Sequence, residues 1–321
     1  MSRVAIVTPP TTGFRSGNDV TAKRWASVLR KLGHSVAVCQ SLPDQNFDTL
    51  LALHARRSAN AVSEFRKQHS EKPIIVALTG TDLYRDIRNS ASAQNSLKLA
   101  DRLITLQERG IDEIPEKLRS KVRTIYQSAD FRQRRHGALK RVFEICVPGH
   151  LRSVKDPFRA ELASRDLAPS SRIRITHVGA AYSDSMAAKA TAAAENNRRY
   201  RWLGEKTRSD TYRLIARSKA VVVSSRMEGG ANVICEAVVA GVPVLASSIS
   251  GNIGMLGSDY EGYFETGKTK QLLSLMERIE SDPRFHNHLR KQCRHRARLF
   301  TPKRELRAFK SIMAELEALT R

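Results

Sequence analysis

The segment AVVVSSRMEGGANVICEAVVAGVPVLAS, residues 220–247, decides the fold of this chain. Its first five residues, Ala220–Ser224, form a short apolar run rich in β-branched residues, which predicts a buried strand. After a glycine-containing loop, a helix is predicted over Ala231–Ala240, and a second strand follows at Val244–Ser247. Strand, helix and strand in this order form the repeating unit of a parallel sheet, so the segment predicts an α/β protein.

The same alternation extends through both halves of the chain. In the first half, strands are predicted at Val4–Thr8, Ser35–Cys39, Thr49–Leu53, Ile74–Leu78, Leu103–Leu106 and Val122–Ile125. In the second half, further strands are predicted at Val142–Val147, Ile173–Val178 and Tyr200–Leu203, with helices at Pro157–Leu167, Ser185–Asn196 and Lys206–Ser218. The pattern predicts two Rossmann-like domains facing across a cleft.

A polar and basic segment, Phe131–Gly137, separates the two halves and predicts a linker between domains. We therefore expect an N-terminal domain over residues 1–138 and a C-terminal domain over residues 139–300. The remaining residues, 301–321, contain Leu306, Phe309, Met313, Leu316 and Leu319 at intervals of three or four. This spacing predicts an amphipathic helix from Pro302 that needs an apolar surface to cover.

Composition limits the class of protein. An apolar content of 41% over 321 residues is enough for two hydrophobic cores. Cys39, Cys146, Cys235 and Cys293 lie far apart without a CxxC pair, which predicts reduced, buried thiols in a cytoplasmic protein. Because no apolar run approaches about 18 residues, we expect neither export nor a membrane span.

The net charge of +23 requires an anionic partner, which is a nucleic acid, an acidic lipid surface or a small phosphorylated substrate. The densest basic stretch, Arg284–Lys310, contains few aromatic residues and no nucleic-acid-binding signature, so we expect no nucleic-acid partner. Three interpretations of this stretch remain: a solvated helix face, a surface that contacts a membrane or another polyanion, and a substrate-steering surface.

The segment from Glu228 to Glu236 runs from a loop into a helix. Its glycines allow close approach of the backbone to a ligand, and the free N–H groups of a first helical turn favour an anion such as a diphosphate. The candidate ligand-binding residues are Gly229, Gly230, Ala231, Asn232 and Val233. Glu236 lies on the helix, where its carboxylate can accept hydrogen bonds from a ribose diol. Alternatively, Glu228 only favours the helix N-terminus and Glu236 is an ordinary surface residue.

A second informative segment, Pro148–Pro157, lies where the first strand of the second domain ends. Ligands of open α/β sheets collect at the carboxyl ends of strands, so His150, Arg152 and Lys155 are predicted to point into the cleft. Arginine can grip a phosphate with two hydrogen bonds, and lysine adds a point charge. The alternative is a basic loop on an already basic protein.

Together, these two segments resemble the donor site of retaining GT-B glycosyltransferases of the type called family 4. The resemblance lies in Glu-x7-Glu at 228–236 and in a Gly-x-Leu-x3-Lys loop at 149–155, about 75 residues earlier. It implies a GT-B fold whose C-terminal helix returns to the N-terminal domain. It also implies that Lys155 neutralises the leaving diphosphate and that Glu236 binds the ribose. His150 occupies the family's arginine position, with Arg152 two residues on, so either can supply the remaining charge.

Several longer stretches resemble the selenosugar synthases of selenoneine biosynthesis, the SenB group. They are Leu53–Ala59, Leu78–Asp86, Gly149–Arg152, Met227–Asn232 and Gly251–Gly257. This resemblance implies transfer of a sugar, typically N-acetylglucosamine, from a UDP-sugar to selenophosphate, with formation of a carbon–selenium bond. The expected partners are then two small anionic substrates.

The residues on the acceptor side follow strands of the first domain. Gly17 and Asn18 stand in the loop after the first strand, where related transferases carry a glycine pair. His54, Arg56 and Arg57 follow the third strand, and we expect Arg56 and backbone N–H groups to hold the acceptor. Alternatively, His54 is a buried, hydrogen-bonded histidine and one of the two arginines faces solvent. The residues that follow the fourth strand are Thr79, Gly80, Thr81 and Asp82.

Three absences in the sequence refine the interpretation. Relatives that glycosylate hydroxyls often have a histidine in the segment equivalent to Leu78–Asp82, whereas this chain has none. Selenophosphate is already an anionic nucleophile and needs little help from a general base. The Gly-Gly-x-x-Glu that shapes the sugar pocket in relatives is also missing from Ser250–Gly254. Because there is no Asp-x-Asp, we expect neither a metal nor another cofactor.

We therefore expect a UDP-sugar-dependent glycosyltransferase whose catalytic residues are Arg152, Lys155, Glu228 and His54. The alternative is a transferase that acts on a lipid or polysaccharide hydroxyl at an anionic membrane. In that case the Arg284–Lys310 stretch is a peripheral docking face.

Overall fold

The computed structural model describes residues 1–10, 16–130 and 141–319. The predicted linker and the boundary expected at residues 138 and 139 lie outside the described residues, so that boundary stays a prediction. The described residues form two compact units. The first unit contains Met1–Ser128, Glu228–Gly230 and the C-terminal stretch from Thr301, and the second contains Ala129–Met227 and Ala231–Phe300.

The first unit is built on a six-stranded parallel sheet of order β2-β1-β3-β4-β5-β6. Its strands are β1 (Arg3–Val7), β2 (Ser35–Cys39), β3 (Thr49–Leu53), β4 (Ile74–Leu78), β5 (Arg102–Thr105) and β6 (Val122–Thr124). Its helices are α1 (Gly17–Lys31), α2 (Ala59–Gln68), α3 (Ile87–Asn89) and α4 (Ala91–Leu99). β3 and β4 are buried along their whole length, as expected for central strands of a parallel sheet covered on both faces.

Local sequence determines the ends of α1. The Ser16 hydroxyl accepts from the Asp19 N–H at 3.2 Å, and the Asp19 carboxylate accepts from the Ser16 N–H at 2.9 Å, which is a capping box. The helix ends before Gly33, whose φ of +91° suits glycine. The prediction that Gly17 and Asn18 stand in the loop after β1 is wrong, because both residues form the first turn of α1.

The second unit is built on another six-stranded parallel sheet, of order β12-β11-β10-β7-β8-β9. Its strands are β7 (Phe143–Pro148), β8 (Ile173–Val178), β9 (Tyr200–Trp202), β10 (Ala220–Val223), β11 (Val244–Ser247) and β12 (Tyr263–Phe264). Its helices are α5 (Arg159–Arg165), α6 (Asp184–Asn196), α7 (Arg208–Arg217), α8 (Asn232–Val239), α9 (Ser250–Leu256), α10 (Thr269–Ser281) and α11 (Pro283–Arg296). The sequence missed only the two-residue strand β12 among these strands, because so short a run shows no periodicity.

The C-terminal helix α12 (Pro302–Leu319) covers the sheet of the first unit. The rings of Phe309 and Trp25 meet edge to face with centroids 5.1 Å apart. The buried carboxylate of Glu305 accepts from the Trp25 indole N–H at 2.9 Å and pairs with the Arg24 guanidinium at 3.2 Å. A buried carboxylate is stable only with such partners, so these contacts specify where α12 docks. The predicted α/β architecture with a returning C-terminal helix is confirmed.

Candidate functional site

In the second unit, a short loop with three basic side chains follows β7 at the carboxyl end of the sheet. We call residues Gly149–Lys155 the clamp loop. Its backbone is hydrogen-bonded to the end of β8 and to the chain that follows: the Gly149 N–H donates to the Val178 carbonyl oxygen, and the Leu151 N–H donates to the Ala180 carbonyl oxygen, both at 2.8 Å. The loop is therefore a fixed extension of the sheet, as the prediction of a strand-end ligand site requires.

A buried histidine hydrogen-bonds to the first residue of the clamp loop. His177 on β8 lies 2.9 Å through Nε2 from the carbonyl oxygen of Gly149, and its Nδ1 lies 3.1 Å from the Tyr200 hydroxyl. Burial lowers the pKa of His177 from 6.5 to about 4, so the ring is neutral at physiological pH. A neutral imidazole donates from one nitrogen and accepts at the other, which matches the carbonyl and the hydroxyl.

Gly179, just after β8, lies directly against the clamp loop. A Cβ atom there would stand 2.1 Å from the carbonyl oxygen of Gly149, and its φ of +153° also suits glycine. Sequence reasoning missed His177 and Gly179. The available signal was a histidine and a glycine within one buried strand end.

His150 and Arg152 are the two candidates to supply positive charge beside Lys155, and they differ in their contacts. His150 accepts at Nδ1 from the Ala180 N–H at 3.0 Å, which places its ring proton on Nε2. The Arg152 guanidinium lies 4.7 Å from the centroid of the Tyr182 ring, a cation–π distance. In this geometry His150 offers a neutral N–H donor, whereas Arg152 carries the positive charge.

Lys155 closes the clamp loop in a short 3₁₀ turn, Ser153–Lys155. The Ser224 hydroxyl, just after β10, lies 3.1 Å from the Lys155 carbonyl oxygen and 2.8 Å from that of Asp156. In addition, the Arg226 N–H donates to the Val154 carbonyl oxygen at 2.8 Å. Since β7 and β10 are neighbouring strands, these bonds hold the clamp loop beside the chain that leads to α8.

Glu236 lies in the second turn of α8, as predicted, but it is not an ordinary surface residue. Only 10% of its side chain is exposed, and its Oε1 lies 4.0 Å from Nη2 of Arg208 on α7. Tyr212, one turn after Arg208, also hydrogen-bonds to Glu236. Arg208 and Tyr212 could not be selected from the sequence, because only the fold brings α7 beside α8.

The N-terminal part of this segment differs from a simple helix start. Ala231 precedes α8 without a side-chain cap, and its N–H donates to the Met255 sulfur at 3.1 Å. Asn232 and Val233 are half-buried in the first turn.

Glu228, Gly229 and Gly230 belong to the first unit by their contacts. A Cβ atom on Gly229 would lie 2.4 Å from the Thr79 carbonyl carbon, so only glycine fits this contact.

In the first unit, the carboxylate of Asp82 joins the chain that follows β3 to the chain that follows β4. It is fully buried and accepts from the N–H groups of Ala55 at 3.0 Å, Thr79 at 3.0 Å and Gly80 at 2.8 Å. In this structure the N–H groups of Thr79 and Gly80 donate to Asp82, and their role in holding an anionic acceptor stays a prediction. These three bonds give Asp82 a structural role, because they hold the segments that follow β3 and β4 together.

His54 is a buried, hydrogen-bonded histidine, which was the simpler of its two interpretations. It adopts φ of +75°, an uncommon value for a residue other than glycine. Its Nε2 lies 3.1 Å from the Thr81 hydroxyl, and its Nδ1 accepts from the Arg57 N–H at 3.3 Å. Burial lowers the pKa of His54, an effect that the charge of Asp82 opposes.

The two arginines that follow His54 are both exposed. Arg56 donates to the nearly buried carboxylate of Asp86 at 2.8 Å, and Arg85 donates to the other oxygen of Asp86 at 2.9 Å. Although burial opposes it, hydrogen bonding to both arginines lowers the pKa of Asp86. Arg56 is thus held in place at this corner, and the expectation that one of Arg56 and Arg57 faces solvent holds for both.

The comparison with protein families decides the class of this chain. The profile of the family described as Glycosyl transferases group 1 matches residues 129–299, more than half of the chain. The chain belongs to this family. This assignment confirms the sequence prediction of a glycosyltransferase. The comparison with curated protein sequences returned no match.

Solved structures show that the whole of this group 1 glycosyltransferase has the GT-B fold. Sucrose-phosphate synthase from Thermosynechococcus elongatus is 14% identical, with a TM-score of 0.80 over 99% of this chain and 100% of that one. Anabaena HepE, in complex with UDP-glucose, is 12% identical, with a TM-score of 0.78 over 98% and 100% of the two chains. The pneumococcal O-GlcNAc transferase GtfA, in complex with UDP and GlcNAc, is 15% identical, with a TM-score of 0.65 over 83% of this chain and 57% of that one.

Two further features of this glycosyltransferase bear on its predicted partners. Within the described ranges, no helix has the length and apolarity needed to cross a membrane. Among the same residues, no group of three or more His, Cys, Asp or Glu side chains is arranged to hold a metal ion. Catalysis without a metal stays a prediction.

Proposed function

We propose that this group 1 glycosyltransferase transfers a sugar, N-acetylglucosamine by resemblance, from its UDP derivative to selenophosphate. The observation that carries the donor half is the arrangement in the second unit. The clamp loop follows β7 and the α8 segment follows β10, and these two strands are neighbours in the parallel sheet. A cationic loop and a nearly buried carboxylate at the ends of adjacent strands suit the diphosphate and the ribose of one nucleotide.

In the proposed mechanism, the clamp loop stabilises the charge that develops on the departing UDP. Lys155 and Arg152 supply positive charge, and His150 adds a neutral N–H donor from Nε2. Such preorganised groups act on the transition state without reorganising, which makes them effective catalysts of leaving-group departure. Glu236 accepts hydrogen bonds from the ribose hydroxyls, while Glu228 contacts the sugar or orders the loop with Gly229 and Gly230.

The acceptor half rests on the resemblance to the selenosugar synthases and on the chemistry of the acceptor. A selenium lone pair attacks the anomeric carbon, a carbon–selenium bond forms, and the bond from that carbon to the diphosphate oxygen breaks with its electrons leaving on UDP. No proton has to leave the nucleophile. The acceptor therefore needs no general base. This agrees with the buried position of His54, whose ring nitrogens are hydrogen-bonded to the Thr81 hydroxyl and the Arg57 N–H.

The exposed guanidinium groups of Arg56 and Arg57 are the proposed ligands of the acceptor phosphate. Arg56 is held by Asp86, because its Nε–H donates to that carboxylate at 2.8 Å. An arginine whose orientation is already restricted loses less conformational entropy when it binds an anion. The structures of HepE with UDP-glucose and of GtfA with UDP and GlcNAc support a UDP-sugar as the donor class.

The test is an anaerobic incubation of the purified protein with selenophosphate and a panel of UDP-sugars that includes UDP-N-acetylglucosamine and UDP-glucose. We expect UDP release together with a product whose mass spectrum shows the selenium isotope pattern on a sugar. UDP release only when an alcohol acceptor is present would overturn the selenium assignment but keep the donor assignment.

A second candidate function is transfer to a lipid or polysaccharide hydroxyl at an anionic membrane. It is favoured by the exposed basic side chains Arg284 and Lys291 of α11, which are seven residues apart and so lie on one side of this helix. Each such residue near an anionic membrane contributes roughly 1 kcal/mol. Co-sedimentation with phosphatidylserine vesicles, together with activity towards lipid acceptors and none towards selenophosphate, would favour this alternative.

A further inference from the structure

Arg208 and Tyr212 form a pair on α7 that contacts the carboxylate of Glu236. They are four residues apart, so they lie on the same side of the helix one turn from each other. The Arg208 guanidinium carbon lies 5.0 Å from the centroid of the Tyr212 ring. Arg208 also donates to the Tyr212 hydroxyl oxygen, from Nη2 at 2.5 Å and from Nε at 3.1 Å.

The Tyr212 hydroxyl connects Arg208 to Glu236. A phenol has one proton to donate, and its oxygen can accept. Since Arg208 can only donate, it uses the acceptor capacity of the oxygen, and the phenolic proton is directed to Glu236, with which Tyr212 is hydrogen-bonded. Burial, reinforced by the charge of Glu236, raises the pKa of Tyr212, so the hydroxyl keeps this proton at physiological pH.

Glu236 needs such support if it is to recognise a diol. A glutamate has three side-chain torsions, and two vicinal hydroxyl groups must meet its carboxylate at defined angles. The bond from Tyr212 occupies one lone-pair site and restricts rotation of the carboxylate. The guanidinium of Arg208, 4.0 Å away, attracts the carboxylate of this nearly buried residue.

We propose that Tyr212 and Arg208 are positioning residues that orient Glu236 so that it selects a ribonucleotide over a 2′-deoxyribonucleotide donor. This inference rests on the proposed role of Glu236 in binding the ribose. Under this proposal, residues of α7 determine which nucleotide ribose is accepted. None of the site residues selected from the sequence lies on this helix. The selectivity belongs to the nucleotide alone, so its test needs neither the acceptor nor the transferred sugar.

The experiment is calorimetric titration of the full-length protein with UDP and with 2′-deoxy-UDP. We expect the unaltered protein to bind UDP about tenfold more tightly, the effect of roughly one hydrogen bond to a charged group. In Tyr212→Phe, which keeps the ring, we expect this preference to fall to within about twofold while binding of 2′-deoxy-UDP changes little. Arg208→Gln should also lower the preference for UDP. Because Arg208 is half exposed, this variant is a second test in case removal of the buried Tyr212 hydroxyl disturbs the fold.

Arg213→Ala is the matched control, because this arginine is on the same helix, is about half exposed and pairs with Asp210 instead. It should leave both affinities unchanged. If Tyr212 had a purely structural role, Tyr212→Phe would weaken the binding of UDP and of 2′-deoxy-UDP by the same factor, and that result would overturn the inference. So would an unchanged preference in Tyr212→Phe. Failure of the unaltered protein to bind UDP, or to prefer it over 2′-deoxy-UDP, would overturn the ribose role of Glu236 and this inference with it.

Discussion

Nε2 of His177 lies 2.9 Å from the carbonyl oxygen of Gly149, and this bond places a fully buried histidine directly beneath the clamp loop. The same ring accepts from the Tyr200 hydroxyl through Nδ1. The bond from Tyr200 requires the neutral form, because both nitrogens of an imidazolium carry protons and neither can accept. The charge state of His177 therefore couples the stability of the second unit to pH.

We predict that the free energy of unfolding decreases as the pH falls from about 6.5 to about 4. In this range the unfolded chain protonates His177, whose pKa there is near 6.5, while the folded chain does not until about pH 4. The unfolded state thus binds more protons, so stability is fully present above about pH 6.5 and is lost on acidification. One such group contributes roughly 3 kcal/mol across the range. Urea unfolding at about pH 7 and about pH 5 measures the change.

His177→Gln isolates this contribution, because burial also lowers the pKa of His54 and His286. The glutamine keeps an N–H donor near Gly149 but does not titrate. We expect a smaller pH dependence of unfolding than in the unaltered protein. An equal dependence in both proteins would show that His177 is not the titrating group.

The Lys155 ammonium is predicted to be needed for turnover. Lys155→Ala should lower kcat/KM for the UDP-sugar by about 10²–10³-fold, the usual effect of removing one group that stabilises transition-state charge. The fold should persist, since the bonds that hold the turn use backbone groups of Lys155 and Asp156. UDP release and circular dichroism are the two measurements. Lys270→Ala, at an exposed position of α10, is the control. Near-normal activity of Lys155→Ala would contradict the predicted role of Lys155 in stabilising the departing diphosphate.

Arg152 and His150 are predicted to contribute unequally to diphosphate binding. Arg152→Ala should weaken UDP binding by about tenfold or more, since hydrogen bonds to charged groups contribute roughly 1.5–3 kcal/mol. His150→Ala, which removes a neutral donor, should weaken it by about fivefold. Binding of uridine, which lacks the diphosphate, should change little in either variant. Arg174→Ala, an exposed residue of β8, serves as the control, and a larger loss in His150→Ala would reverse the assignment.

Asp82 is predicted to act through stability. Asp82→Asn replaces one acceptor oxygen with an NH₂ group that faces backbone N–H donors. We expect a loss of about 2–3 kcal/mol in the free energy of unfolding, the cost of leaving buried donors unpaired. Asp112→Asn, at an exposed position, should have almost no effect. Denaturant titration compares the two variants, and equal stability would show that the three N–H groups find other partners.

Much of the fold was predictable because it depends on local patterns. Apolar runs bounded by polar residues located the central strands β3 and β4 to the residue, and recurrence every three or four residues located α12. The ends of elements were less accurate. The start of α1 was misplaced because the side chains of Ser16 and Asp19 cap the helix before Gly17, and a glycine followed by an asparagine also suits a turn.

The candidate site divides in the same way. Lys155 and Glu236 follow from spacing, because a motif after a strand places its residues at the carboxyl end of the sheet whatever the rest of the chain does. Tyr212, Arg208 and His177 could not be selected in this manner. Each acts on a residue at least 24 positions away in the chain, and nothing in its own neighbourhood indicates that partner.

The amino-acid sequence by itself thus determined the class of fold, the glycosyltransferase family and the loops predicted to carry the donor and acceptor sites, since periodicity and motif spacing are local properties. Only the tertiary structure decided which atoms remain available in those loops. It assigned the N–H groups of Thr79 and Gly80 to Asp82, the proton of His150 to Nε2, and Glu236 to a nearly buried position beside α7. These outcomes depend on hydrogen-bond partners distant in sequence, because burial forces every polar group to find a partner wherever the fold provides one.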